Sequence, residues 1–139
     1  MTLVEVVMAT GIIALTGAGV ISSINYGLCI MKIARENQRA TQIMVEKVEA
    51  IRLYNWDQVT NAAFIPDSFT AKYDPTSNLG TTYYGTMSVT APAFSGTTPN
   101  YSANMRQFNV SLTWTNAGLR HARSLSTFVG QNGVQNYVY

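Results

Sequence analysis

The chain has 139 residues, a net charge of +2 and charged side chains at only 12% of its positions, against roughly 25% in an ordinary soluble protein. So weak a charge implies no strong electrostatic partner and no specific nucleic acid, and the single cysteine, Cys29, excludes an intrachain disulfide. Once the first thirty residues are set aside as apolar, about a hundred remain, enough for one small core and not for two.

Met1 to Met31 reads MTLVEVVMATGIIALTGAGVISSINYGLCIM, and Glu5 is its only charged side chain. The uncharged run from Val6 to Met31 exceeds the roughly 20 residues a helix needs to cross a bilayer core. A carboxylate at that depth is costly, which makes Glu5 a functional candidate. No basic segment precedes the run and no small-residue cleavage site follows it. Taken as it stands, the excess of cations at Lys32, Arg35 and Arg39 places that end in the cytoplasm; a basic leader ahead of Met1 would reverse the orientation.

Two features separate this run from a plain anchor. Gly11, Gly17, Gly19 and Gly27 interrupt it, each costing a helix about 1 kcal/mol in an exposed position, so bending or local melting is expected between Gly17 and Gly27. Thr10, Ala14, Ala18 and Ser22 recur every four residues as a small-residue stripe, the pattern that lets helices approach closely in an apolar medium.

The first proline is Pro66, so one helix is expected from near Met1 to about Tyr54, roughly 80 Å long. From Lys32 to about Trp56 it is amphipathic. Ile33, Ala40, Ile43, Met44, Val48, Ile51 and Tyr54 share one arc, with Arg35, Arg39, Gln42, Glu46 and Glu49 opposite. Glu49 can reach Arg52 one turn on.

Residues 57–104 read as a variable, loop-rich region punctuated by Pro66, Pro75, Pro92 and Pro99, with one strand candidate at Thr81–Thr90. The clearest strand is Arg106–Thr115, where Phe108, Val110, Leu112 and Trp114 alternate with polar residues. Asn116-Ala117-Gly118 supplies a short hairpin loop and Arg120–Val129 the return strand. The expected fold is α+β: a hydrophobic helix over 1–31, then a head over 32–139 built from an amphipathic helix (32–56), the variable region and an antiparallel sheet (105–139).

The opening Thr2-Leu3-Val4-Glu5, leading into an apolar helix, resembles the mature N-terminus of type IV pilins and type II secretion pseudopilins. Gln42–Arg52 (QIMVEKVEAIR) is similar to the minor-pilin branch of that family. The likeness covers about the first third of the chain. Met1 stands where Phe is commoner, no proline lies near Ser22, and the C-terminal cysteine pair of many pilins is absent. The resemblance implies a leader cut just before Met1 by a prepilin peptidase, methylation of the new amine, and storage in the inner membrane as a single-pass subunit. It implies extraction by the pilus assembly machinery into an extracellular filament of copies of this chain. Met1 and Glu5 would then set the register between neighbouring subunits, their opposite charges offsetting each other in an apolar bundle. A minor pseudopilin at the tip of a secretion pseudopilus is the alternative within the family. A membrane-anchored binding module that never assembles is the alternative outside it.

The remaining signals are thinner. One His, one Cys in the apolar run and no paired carboxylates give no acid–base or nucleophilic constellation, so neither an enzyme nor a cofactor is expected. Asp67, Asp74 and Asn78 offer oxygen ligands for calcium, though their spacing fits no EF-hand pattern. Asn100-Tyr101-Ser102 and Asn109-Val110-Ser111 match the glycosylation acceptor pattern, Asn100 being the better placed. His121, beside Arg120 and Arg123, reads as a solvated surface residue.

Overall fold

A computed structural model describes residues 2–61, 63–77 and 80–131. Its elements run α1 (Leu3–Arg52), α2 (Trp56–Thr60), β1 (Ser68–Lys72), β2 (Thr82–Thr90), a single 3-10 turn (Ser102–Asn104), β3 (Met105–Asn116) and β4 (Leu119–Gly130). The four strands form one antiparallel sheet in the order β1-β2-β3-β4. Two compact units divide the chain, Met1–Glu36 and Asn37–Tyr139, a boundary five residues beyond the expected end of the apolar run at Met31.

The second unit is an α+β fold in which the rear of α1 packs on one face of the sheet. Ala40, Ile43, Met44, Val48 and Ile51 are buried along the helix, and with them Tyr83 and Met87 of β2 and Phe108, Val110, Leu112 and Trp114 of β3. These are the positions that period 3.6 and period 2 select. β2 and β3 each have neighbours on both edges and the helix over one face, and both alternate between buried and more open side chains. Val59 of α2 and Ile65 close one side of this core.

α1 stops at Arg52, short of the expected Trp56, because the next residues are committed elsewhere. Leu53 and Tyr54 donate to the carbonyls of Ala50 and Ile51, the tight last turn common at helix ends. Asn55 then caps α2: its Oδ1 accepts from the Gln58 N–H at 2.9 Å while Gln58 Oε1 accepts from the Asn55 N–H at 3.0 Å. The expected Glu49–Arg52 pair is present at 2.8 Å.

The loop-rich region is more ordered than its composition suggests. It holds α2, β1, β2 and the 3-10 turn, of which only β2 was foreseen. β1 is five residues long and turns only Phe69 and Ala71 toward the core, too little alternation to stand out. Its place is fixed by Gly85, opposite Phe69 on β2: any Cβ on Gly85 would fall inside the Phe69 ring. Lys47 covers the other side of that ring, its Nζ 4.8 Å from the centroid.

β3 and β4 join through Ala117 and Gly118, both at positive φ (50° and 79°), a two-residue turn of the kind that matches strand twist. His121 is not the solvated residue expected. It shares the inward face with Leu125 and Val129 and stacks on Trp114, ring centroids 5.4 Å apart and planes within 19°.

Candidate assembly surface

Within the first unit, every residue from Thr2 to Tyr26 is exposed. Leu3, Val7, Ile13, Leu15 and Ile21 are among the apolar side chains left open. The helix is long and apolar enough to cross a membrane, and none of its apolar window is buried within the chain. A large exposed apolar surface marks a site of interaction with lipid or protein.

Three hydroxyls on this surface are satisfied from within the helix. The Thr10 hydroxyl donates to the Val6 and Val7 carbonyls (2.9 and 3.0 Å), Thr16 to Ile12 and Ile13 (both 3.0 Å), and Ser23 to Gly19 (2.9 Å). A hydroxyl bonded to its own helix can enter an apolar medium without stranding a polar group. At the helix start, the Glu5 N–H donates to the Thr2 carbonyl at 3.0 Å and faces the Thr2 hydroxyl at 3.4 Å. Thr2 therefore closes the first turn, and Glu5 sits in it as the helix dipole favours. The Glu5 carboxylate is exposed.

Thr10, Ala14, Ala18 and Ser22 fall on one exposed face of α1, as four-residue spacing requires. Gly11, Gly17, Gly19 and Gly27 have open space where a side chain would be, and α1 runs through the Gly17–Gly27 segment without a break. Met1, the other half of the expected register pair, lies outside the described residues.

The head supplies less. Asp67 and Asp74 cannot share the calcium ion considered for them, because β1 stands between them and holds them about 17 Å apart or more at 3.3 Å per residue. Asn78 lies outside the described residues. Among the described residues no three His, Cys, Asp or Glu side chains are grouped as metal ligands. Asp74 is engaged instead by Thr76, whose hydroxyl and N–H donate to its Oδ1 at 2.7 and 2.9 Å and hold its carboxyl below the ordinary range. Arg39 adds a weaker pull in the same direction.

Asn100 is exposed in a turn, whereas Asn109 is half-buried in mid-β3 and accepts from Gln107 Nε2 at 3.3 Å. Cys29 is exposed on α1. A concave site of about 210 Å³ is lined by Val59, Ile65, Asp67, Met87, Val89 and Arg106, among others. Its arginine is already held, one Nη donating to the carbonyls of Ala103 and Met105 and the guanidinium lying over Trp56.

Sequence reasoning passed over one residue of α1. Glu36, one turn before Ala40 on the apolar arc, is a buried carboxylate. A charge falling on an otherwise apolar stripe is the signal that marks it. Compared with family models, with curated proteins and with solved structures, the chain matches none.

Proposed function

We propose that the chain is a pilin-like structural subunit that polymerises through α1 into an extracellular filament resembling a type IV pilus. The observation that carries this reading is the uncharged, fully exposed face of α1 from Val6 to Tyr26, preceded by a lone carboxylate one turn from the helix start. The subunit waits in the inner membrane as a single-pass protein, after a prepilin peptidase has cut a leader ahead of Met1 and the new amine has been methylated. The assembly machinery then transfers it to the filament core, with the heads outside. Its role is mechanical, with no catalytic step.

The chemistry of transfer follows from the surface. Lipid tails and packed helices are equally apolar, so cohesion between subunits comes from close packing along the stripe Thr10, Ala14, Ala18 and Ser22. Direction and register come from charge. An uncompensated carboxylate in an apolar bundle costs several kcal/mol, and pairing Glu5 of one copy with the Met1 amine of the next offsets that cost at one axial step only. Helices packed on apolar side chains alone would slide.

Glu5→Ala decides the matter. The variant is expected to accumulate in the membrane at wild-type level with an unchanged head, while filaments sheared from cells and weighed fall to a trace. Wild-type filament yield from Glu5→Ala would overturn the register role. A membrane-held wild-type chain that never forms fibres under the electron microscope would overturn assembly altogether.

A further inference from the structure

The face of the sheet turned away from α1 has a composition that no core or membrane requirement explains. Strand register places Ser68, Thr86, Ser111 and Ser124 side by side across all four strands, a continuous row of hydroxyls. The next rows along the strands are Ser88, Asn109 and Ser126, then Thr90, Gln107 and Phe128. On the other side of the hydroxyl row lie Thr70, Tyr84, Thr113 and Ala122. Among the described strand residues Lys72 and Arg120 bring the only charges to this face, both at the end of the sheet nearest the β3–β4 turn.

Two aromatic rings stand on this face, Tyr84 on the inner strand β2 and Phe128 on the edge strand β4. Tyr84 is 62% exposed and Phe128 55% exposed, and neither ring pairs with another aromatic among the described residues. Six residues along the strands and two strand spacings across separate them, a diagonal of about 22 Å from ordinary sheet dimensions. Along the diagonal between the rings lie hydroxyls and carboxamides, groups that both donate and accept hydrogen bonds, with Ala122 to one side of it.

From this arrangement we infer that the outer face of the sheet binds a neutral polysaccharide chain laid diagonally from Tyr84 to Phe128. Sugar hydroxyls need partners that donate and accept, which the Ser, Thr, Asn and Gln array provides. The C–H faces of the end pyranose rings need flat apolar supports, which the two aromatic rings provide. An anionic polymer or an acidic membrane would find only two cations, both off the diagonal. A protein interface would want a contiguous apolar centre, and the face between the rings has none. The inference stands on the sheet alone, independent of whether α1 polymerises.

The test uses the full chain purified in detergent, mixed with insoluble cellulose or chitin powder and sedimented. Wild type is expected to pellet with at least one powder, and to do so equally in about 1 M NaCl, where the Debye length falls to about 3 Å. Tyr84→Ala and Phe128→Ala are each expected to weaken retention about tenfold or more, as truncation of an anchoring aromatic does. Thr86→Arg, which plants a bulky cation on the hydroxyl row, is expected to do the same. All three side chains face solvent, so the thermal midpoint of the head should hold. Failure to pellet with either powder, loss of retention in salt, or equal retention by wild type and all three variants would overturn the proposal. Because no step requires filaments, this result and the Glu5→Ala result are read separately.

Discussion

Residues 3–31 and 40–51 belong to one continuous helix, and water treats them in opposite ways. In the rear stretch the apolar side chains are gathered on one arc and buried with the sheet; in the front stretch they lie all round the helix and are exposed. Helix propensity does not separate the two, since glycines crowd the stretch that has no tertiary support. What separates them is angular distribution. A helix with one apolar face finds its partner within its own chain, whereas one that is apolar on every side has to find it elsewhere. The front stretch is therefore unfinished as a structure, and the rear is complete.

Paired truncations break or sharpen that contrast most directly. Phe108 is fully buried at the centre of the core, and Phe108→Ala should destabilise the head by about 3–5 kcal/mol, measured by thermal unfolding in detergent. Ile13 is 69% exposed, and Ile13→Ala should leave the same transition where it was. A comparable loss at both sites would mean that the front helix is part of the folding unit after all.

A smaller effect is expected at the sheet edge. Gly85→Val forces a side chain into the space of the Phe69 ring and should cost about 1–3 kcal/mol, with β1 the first strand to lose amide protection in hydrogen exchange. Smaller again is Asn55→Ala. It removes the cap of α2 and should cost about 1 kcal/mol, read as a shift in the denaturant midpoint with the slope unchanged.

The two regions also differed in how legible they were. The helix, its amphipathic arc and the β3–β4 hairpin followed from periodicity, because each has at least one face whose burial is dictated by its neighbours, and β2 followed from its run of Thr and Tyr. β1 did not, since five residues with two inward side chains carry almost no pattern; its position is dictated by Gly85 on another strand. His121 misled for a different reason. Its arginine neighbours suggested solvent, while its parity with Leu125 and Val129 had already placed it on the inner face. The calcium candidates failed because proximity in sequence is not proximity in space once a strand intervenes. The front helix was legible in full as an element, and its exposed stripe and carboxylate stand where spacing put them. The outer-face hydroxyl row was not legible, because it exists only once four strands are in register.

Thr10, Thr16 and Ser23 give the front helix a property beyond greasiness. Each turns its proton inward, so these three hydroxyls make no chemical demand on whatever surrounds the rod. Exchanging one apolar neighbourhood for another then ruptures no hydrogen bond at these positions. In the filament proposed above, such a rod would be drawn sideways out of one company and into the next with these bonds intact, and Glu5 would decide where it comes to rest.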